Sequence, residues 1–227
     1  PLLHSFLYIC RMITLSEENY LKAIFHLVND KNQVGINEIS KFLNIKMPSV
    51  NNMMKKFAER KWVIYESYKP LIVTAVGMKE AALVVRKHRL TEMFLAEKMG
   101  FGWEQVHEIA EQIEHIDSDI FFDKIDELLN YPKIDPHGSP IPDKEGNTIT
   151  HHYRKLSECK VGEKVIFKAL MDSSKEFLNY LNQKGISLGT EIEILHREDF
   201  DKSLTVAYLD RKEVLSPIVT HKLLVEL

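Results

Sequence analysis

Two histidines and two glutamates between residues 104 and 118 have the spacing of one face of a helix. At about 100° per residue, positions i, i+4, i+7 and i+8 fall within about 100° of arc, so their side chains can converge. Imidazole nitrogens and carboxylate oxygens suit a divalent transition metal, although a solvated acidic face with two incidental histidines fits the same pattern. We predict one amphipathic helix from Glu104 to Ser118 that carries His107, Glu111, Glu114 and His115.

The charge pattern indicates how the rest of the chain is organised around this stretch. The 227 residues have a net charge of −3, but residues 41–61 contain six basic residues and one acid, whereas residues 104–145 contain twelve acids and three lysines. A basic block followed by an acidic block indicates one segment for an anionic partner and another for cations. The composition, 44% hydrophobic and 28% charged, is that of an ordinary soluble protein.

The two cysteines, Cys10 and Cys159, are far apart and outside any Cys-x-x-Cys motif. They argue against a disulfide framework and a zinc–thiolate site, which suits a cytoplasmic location. No apolar run is long enough to cross a membrane, so no membrane partner is expected. We hypothesise that residues 1–11 are an upstream extension before a native start at Met12, and that residues 1–13 are disordered or non-native.

Residues 14–76 have the element order of a winged helix-turn-helix. Three helices are predicted, the first with Ser16 as N-cap, followed by two β-rich runs around residues 67–70 that form a hairpin. In this fold the third helix enters the DNA major groove, where amides, hydroxyls and lysines contact base edges and phosphates. The candidate DNA-binding residues are Met47, Pro48, Ser49, Asn51, Asn52, Lys55, Lys56, Tyr68 and Lys69.

Residues 77–143 are predicted to form a helical domain. A long helix from Gly77 to Gly100 places His88 and Glu92 at i and i+4, which fits a pair of metal ligands or an ordinary surface contact. A further helix is predicted over residues 119–131. The region has too many large apolar residues for its size, which indicates a dimer interface.

The last part of the chain is predicted to be a small β-barrel over residues 150–227. It follows a linker over residues 132–147 that is interrupted by proline and glycine. Short strand-like runs with turns between them are typical of such a barrel, and one helix at residues 174–182 interrupts them.

Three motifs stand out in the helical region and the linker. They are Arg86-Lys87-His88-Arg89-Leu90-x-Glu92, Val106-His107-Glu108-x-Ala110-Glu111-x-x-Glu114-His115 and Pro136-His137-Gly138-x-Pro140-Ile141-Pro142. Together with Asn19-Tyr20-Leu21 and the winged-helix order, they resemble the metal-dependent repressors of the diphtheria toxin repressor and manganese transport regulator type. The resemblance implies a fold that is mainly α over its first two-thirds, a winged helix-turn-helix plus a helical dimerisation domain, followed by a small all-β SH3-like barrel.

The resemblance also implies two metal sites per subunit, of which the first activates DNA binding. Ligands of the first site would be Asn19, His88, Glu111, Glu114 and His115. The second site would use Glu92 together with either His88 or His107. The linker would add Asp135 and His137 to it, and the last domain would add either Asp172 or Glu176.

Three positions bear on which metal is expected. The iron-type members have a cysteine where this chain has Glu111, and a carboxylate is the harder ligand, which favours Mn²⁺. The manganese-type members have an aspartate at the position of Asn19. Asparagine offers a neutral carbonyl oxygen instead, so the site has one negative charge fewer. The small manganese regulator has a glutamate ligand at the position of Lys22. We therefore predict that the activating metal is Mn²⁺, with Fe²⁺ as the close alternative.

The implied function is a metal-activated repressor that controls manganese or iron homeostasis. It would bind double-stranded operator DNA as a homodimer and act on no small-molecule substrate. Metal would favour the orientation in which two recognition helices match the operator spacing. The alternatives are a winged-helix regulator without metal and a helical di-metal enzyme. The enzyme needs a Glu-x-x-His motif on each of two helices, which this chain lacks, so no catalytic residue is predicted.

Overall fold

The computed structural model describes residues 13–227, which divide into two compact units. The first unit contains the residues up to His88 together with Glu111–Asp119 and Pro142–Thr148, and the second contains Arg89–Ala110, Ile120–Ile141 and Ile149–Leu227. The hypothesis of an N-terminal extension before Met12 concerns residues that lie outside the described range. No helix in that range is long and apolar enough to cross a membrane.

The first unit begins with a winged helix-turn-helix, as predicted. Its helices are α1 (Leu15–Leu27), α2 (Ile36–Leu43) and α3 (Met47–Glu59), and its strands are β1 (Gln33–Val34), β2 (Val63–Ile64) and β3 (Leu71–Val73). The strands form an antiparallel sheet in the order β1-β3-β2, in which β2 and β3 are the predicted hairpin. The sequence pattern missed β1 because two residues are too few to show an alternation.

The helix ends in this domain follow from local hydrogen bonds. Thr14, rather than the predicted Ser16, caps α1, because Thr14 Oγ1 accepts from the Glu17 amide while the Glu17 carboxylate accepts from the Thr14 amide. This capping box satisfies two backbone donors, whereas Ser16 lies inside the first turn. Helix α2 ends at Asn44, whose φ of 52° is left-handed, and Pro48 occupies the first turn of α3.

A hydrophobic core holds the three helices against the hairpin. Phe57 of α3 is fully buried, with its ring centroid 5.0 Å from that of Trp62 and 6.4 Å from that of Tyr20 on α1. Since apolar residues of a helix face the core along one stripe, the opposite face of α3 is left to solvent. The core also contains Leu21, Ile24, Ile39, Val50, Met54 and Leu71.

The helical region contains α4 (Ala75–Met99), α5 (Val106–Ile113) and α6 (Asp119–Leu128). The 25 residues of α4 confirm the predicted long helix, which continues from the first unit into the second. Helix α6 ends three residues before the prediction, because Asn130 and Tyr131 both have a left-handed φ of 57°.

The predicted helix from Glu104 to Ser118 is wrong at both ends. At the start, residues 103–105 form a turn in which the Gln105 amide donates to the Gly102 carbonyl at 2.9 Å. At the end, Glu114 and His115 lie in a turn after α5 rather than on it. The Ile116 amide donates to the Ile113 carbonyl at 3.0 Å, a three-residue separation that closes a turn instead of continuing the four-residue pattern of an α-helix.

The second unit ends in an antiparallel sheet of six strands in the order β4-β9-β5-β6-β7-β8. The elements are β4 (Arg154–Lys155), β5 (Lys164–Leu170), α7 (Lys175–Lys184), β6 (Glu191–Arg197), β7 (Leu204–Tyr208), β8 (Arg211–Leu215), α8 (Pro217–Lys222) and β9 (Leu223–Glu226). The β-rich domain is confirmed, with two helices beside the sheet. The pattern missed β8, because this edge strand begins with charged residues and follows a turn at Leu209 and Asp210 that lacks glycine.

Glu17 connects the start of α1 to α3. It is fully buried, and its Oε1 lies 3.1 Å from both Lys56 Nζ and Arg60 Nη2. Burial alone would raise the pKa of Glu17, but hydrogen bonds from Thr14 and Lys56 and the charge of Arg60 outweigh it and lower the pKa. A carboxyl group with a lowered pKa stabilises the fold above its unfolded pKa of about 4.3, and this contribution is lost as pH falls through the folded pKa.

We expect Glu17→Gln to lower the free energy of unfolding by about 1–3 kcal/mol at pH 7 and by clearly less at pH 3. Urea denaturation at the two pH values measures the difference. Glu38→Gln is the matched control, because Glu38 makes the corresponding contact with the Gly35 amide of α2 but is exposed. Its effect should stay below about 1 kcal/mol. A Glu17→Gln effect of the same size at both pH values would contradict the ion-pair role.

Candidate metal centres and DNA-binding surface

Residues 111–115 bring two carboxylates to α1 and α4. Lys22 Nζ on α1 donates to Glu111 Oε1 at 2.5 Å and to Glu114 Oε1 at 2.8 Å. The second oxygen of Glu114 contacts His88 Nδ1 on α4. One ligand atom from each of His88, Glu111 and Glu114 lies within 4.8 Å of the other two. These three residues, called the first cluster below, are close enough to share one cation.

His115 lies beside the first cluster and is oriented by Glu18 of α1. His115 Nδ1 is 2.6 Å from Glu18 Oε2, and Lys87 Nζ donates to Glu18 Oε1 at 2.9 Å. Because an ionised carboxylate only accepts, His115 Nδ1 carries the proton and Nε2 is the nitrogen that can ligate a metal. That Nε2 is 3.8 Å from Glu114 Oε1, so His115 faces the same carboxylate as Lys22.

Asn19 contributes a buried oxygen to the same helix. Its Oδ1 has no hydrogen-bond partner among residues 13–227. Leaving a buried acceptor unsatisfied costs about 1–3 kcal/mol, and a cation ligated by the amide oxygen would remove that cost. Asn19 follows Glu18 directly and precedes Lys22 by one turn, so the helix that reaches the first cluster also carries this oxygen. The donor set therefore fits a divalent ion.

Glu114 is the most buried acid of the first cluster. Its full burial would by itself raise its pKa, but the hydrogen bond and charge of His88 and the charge of Lys22 outweigh burial. The pKa of Glu114 therefore lies below its ordinary value. The carboxylate is ionised at neutral pH and presents a full negative charge to a cation.

A second cluster forms where the linker meets α4, from Glu92, Asp135 and His137. All three are buried, and one ligand atom from each lies within 4.8 Å of the others. His137 Nε2 is 2.8 Å from the Trp103 carbonyl oxygen, which can only accept, so Nε2 carries the proton. The nitrogen left to ligate is Nδ1, which lies 3.6 Å from Glu92 Oε2.

The linker turn fixes the position of the second cluster. Asp135 Oδ1 accepts from the amides of His137 at 2.8 Å and Ser139 at 2.9 Å, and Asp135 Oδ2 lies 3.5 Å from Arg89 Nε. Gly138 has a φ of +85°, and a side chain there would collide with the backbone at Lys168 and Ala169 of β5. The glycine is required both for the turn and for its approach to the sheet.

The surroundings of the second cluster raise the pKa values of Asp135 and His137. Burial raises the pKa of Asp135, the nearby Glu92 carboxylate raises it further, and Arg89 and His137 oppose this shift without reversing it. Burial would lower the pKa of His137, but its contact with Glu92 and the charge of Asp135 outweigh burial and raise the pKa. A cation would compete with protons for these two side chains, so its affinity would increase with pH.

The remaining ligand candidates are placed less centrally. His107 Nδ1 lies 3.2 Å from Glu92 Oε1, but about half of the His107 side chain is exposed. Asp172 is not a member of the second cluster among residues 13–227. Its carboxylate instead accepts from the Ser174 amide at 2.8 Å and pairs with Lys222. Glu176 is exposed on α7.

The predicted DNA-binding residues lie on the outer face of α3 and in the hairpin turn. Those that are exposed are Met47, Pro48, Ser49, Asn52, Lys55, Lys56, Tyr68 and Lys69. Tyr68 has a left-handed φ of 67° and a fully exposed side chain at the tip of the hairpin. Two of the lysines also have acidic neighbours: Lys56 Nζ is 3.1 Å from Glu17 Oε1, and Lys69 Nζ is 2.5 Å from Glu66 Oε2.

Asn51 is half-buried in a groove between α3 and the hairpin. The groove is lined by Met47, Asn51, Tyr65 and Tyr68, among others. The Tyr65 hydroxyl donates to Asn51 Oδ1 at 3.1 Å, so the Asn51 amide nitrogen is the group left to donate. Sequence reasoning missed Tyr65, which appears in the sequence only as one residue of a β-rich run.

Sequence reasoning also missed Glu18 and the Trp103 carbonyl, which orient the two histidines. Glu18 is an acid directly before the candidate ligand Asn19, and this adjacency is a signal that the sequence contains. The Trp103 carbonyl is a backbone group and leaves no signal in residue types.

Comparison with known proteins identifies three consecutive matches. Residues 12–71 match the family described as iron dependent repressor, N-terminal DNA binding domain. Residues 74–143 match iron dependent repressor, metal binding and dimerisation domain, and residues 154–227 match the FeoA domain.

Similar proteins and structures agree with these matches. The HTH-type transcriptional regulator MntR of Oceanobacillus iheyensis is 33% identical over 124 residues, which are 55% of this chain and 84% of that protein. Its Bacillus subtilis counterpart is 32% identical over 120 residues, 53% of this chain and 84% of that protein. A structure of a manganese-dependent transcriptional repressor in complex with manganese is 29% identical, covers 92% of this chain and 98% of its own, and has a TM-score of 0.82. ScaR with bound Zn²⁺ is 31% identical, with coverages of 92% and 98% and a TM-score of 0.76.

The winged helix-turn-helix, the helical region with its histidine–carboxylate clusters and the sheet-rich last domain thus correspond in order to the three family matches. The chain therefore belongs to the iron-dependent repressor family, of the diphtheria toxin repressor and manganese transport regulator type, and is a metal-dependent DNA-binding transcriptional repressor rather than an enzyme.

Proposed function

We propose that this repressor controls manganese or iron homeostasis by binding operator DNA as a homodimer when its clusters hold Mn²⁺ or Fe²⁺. The observation that carries the proposal is the meeting of Glu111 and Glu114 with α1, the first helix of the DNA-binding domain. A cation shared by these elements favours one orientation of α1. Helix α1 packs on α3 through Tyr20 and Phe57, so the same orientation is imposed on the face that contacts DNA.

Mn²⁺ is the proposed effector and Fe²⁺ the close alternative. The first cluster, with Asn19 and His115, offers carboxylate and amide oxygens and imidazole nitrogens, which suit these ions. Cys159 is buried in the core of the last domain, so its thiol is not part of this donor set. When bound, the metal would supply two positive charges and would be held by residues of α1, α4, α5 and the turn after α5.

The second cluster is proposed as a second metal site in each subunit. Glu92, Asp135 and His137 would be its ligands, with His107 at its edge. Asp172 is not included, because its carboxylate is engaged by Lys222 and the Ser174 amide. A cation at this site would relieve the repulsion between the buried carboxyl groups of Glu92 and Asp135.

Operator recognition is assigned to α3 and the hairpin. Ser49, Asn51 and Asn52 would contact base edges, while Lys55 and Lys56 would contact phosphates. The dimer is proposed to form through α6, which leaves Ile120 78% exposed and Leu128 60% exposed. In this scheme the domains are residues 14–76, 77–143 and 150–227, and the protein acts in the cytoplasm without a small-molecule substrate.

Glu114→Gln tests whether the first cluster activates DNA binding. Removing the charge should weaken Mn²⁺ binding at least about tenfold, or about 1.4 kcal/mol, and operator binding at a fixed Mn²⁺ concentration should fall with it. Isothermal titration calorimetry and fluorescence anisotropy measure the two affinities. Glu108→Gln is the matched control, since Glu108 lies on α5 with a 76% exposed side chain near Lys175. Native operator binding that is equal in chelator would instead support a regulator that works without metal.

Glu111→Cys tests the choice of metal. A thiolate is softer than a carboxylate, so the affinity for Fe²⁺ and Zn²⁺ relative to Mn²⁺ should increase at least about tenfold. Competition titrations with the three ions give the ratios. Glu111→Asp keeps a hard oxygen donor and should leave the affinity ratios within about threefold of native. Unchanged ratios in Glu111→Cys would show that Glu111 is not a ligand.

Lys55→Ala tests the orientation of α3 on DNA. Loss of one phosphate contact should weaken binding to all sequences alike and reduce the slope of log affinity against log salt concentration by about 1. Anisotropy titrations at several salt concentrations give this slope. Lys164→Ala is the control, because this exposed lysine lies on β5 in the last domain. An unchanged slope in Lys55→Ala would contradict the assigned DNA-binding face.

A further inference from the structure

A lysine ammonium lies between the two carboxylates that the first cluster offers to a metal. Lys22 Nζ is 2.5 Å from Glu111 Oε1 and 2.8 Å from Glu114 Oε1. Oxygen ligands hold divalent cations at roughly 2.0–2.6 Å. A metal bound to both of these oxygens would therefore occupy the space that the Lys22 ammonium fills.

The Lys22 side chain is largely buried beside the carboxylates that it contacts. Its side chain is only 12% exposed, and that of Glu114 is fully buried. Buried ion pairs of this kind are screened little by salt, so the lysine stays in place unless another cation replaces it. The flexible four-carbon stem of the lysine allows the ammonium to move away when another cation binds.

The charges favour competition rather than joint binding. Glu111 and Glu114 contribute two negative charges, and the Lys22 ammonium neutralises one of them. A divalent ion placed between the same oxygens would meet a like charge at close range unless the ammonium moved away. Asn19, the further oxygen of α1, is neutral and adds no charge that would compensate.

We propose that Lys22 is a tethered competitor of the metal at the first cluster and sets the metal concentration at which the repressor is activated. This inference rests on the proposed function, in which the first cluster is the activating site. In the metal-free chain the ammonium links α1 to residues 111–114. Metal binding then exchanges one cation for another, and Lys22 moves out to solvent.

The first experiment compares Mn²⁺ binding by the native chain, Lys22→Met and Lys22→Arg in calorimetry. Lys22→Met should bind Mn²⁺ at least about tenfold more tightly, whereas Lys22→Arg keeps the charge and should stay within about threefold of native. Lys87→Met is the matched control for the loss of a nearby positive charge, because the Lys87 ammonium pairs with Glu18 beside the cluster at 2.9 Å. A gain in Lys87→Met equal to that in Lys22→Met, or no gain in Lys22→Met, would overturn the proposal.

The second experiment uses the native chain and does not depend on how the variants fold. Reductive methylation followed by mass spectrometry reports the accessibility of each amine. Mn²⁺ should raise the labelling rate of Lys22 at least about tenfold as its ammonium leaves the carboxylates, while Lys87 changes little. Equal or stronger protection of Lys22 with Mn²⁺ would overturn the inference.

The two levels of failure are distinguishable. If the native chain bound neither Mn²⁺ nor Fe²⁺, the proposed function itself would fail. If the native chain bound Mn²⁺ and required it for operator binding, but Lys22 stayed protected, only the competitor role would be lost.

Discussion

The buried carboxylate of Glu114 is the constraint on which the arrangement of the first unit depends. A fully buried charge is tolerated only when it is paired and hydrogen-bonded. Glu114 meets this requirement through Lys22 on α1 and His88 on α4, so two elements that are distant in sequence are held at one point. The same requirement explains why Glu114 lies in a turn beyond α5, where its carboxylate reaches both partners.

Adjacent acids on α1 connect this point to the DNA-binding face. Glu17 and Glu18 are separated by about 100° around the helix and therefore face different neighbours. Glu17 contacts Lys56 and Arg60 at the end of α3, whereas Glu18 contacts His115 and Lys87. Helix α1 is thus attached by charge to the recognition helix on one side and to the candidate metal ligands on the other.

At both clusters a hydrogen-bond acceptor fixes the ring of one histidine, which is His115 beside the first cluster and His137 in the second. Glu18 holds His115 and the Trp103 carbonyl holds His137, and in both cases the opposite ring nitrogen is left toward carboxylates. They differ in how the charges of their carboxylates are balanced by neighbouring side chains. The first cluster uses the ammonium of Lys22, while the second combines Arg89 with the raised pKa values of Asp135 and His137.

The sequence alone determined the winged-helix order, the long helix and the residue types of both clusters, because apolar periodicity and ligand spacing are local properties. It placed Glu114 and His115 on a continuous helix, since nothing in the pattern shows that the chain turns after Ile113 and that Glu114 pairs with Lys22 and His88. Only the tertiary structure decided that Lys22 stands between the two carboxylates and that Gly138 brings the linker against β5. These contacts join residues far apart in the chain, and burial and charge pairing select them only once the elements have packed.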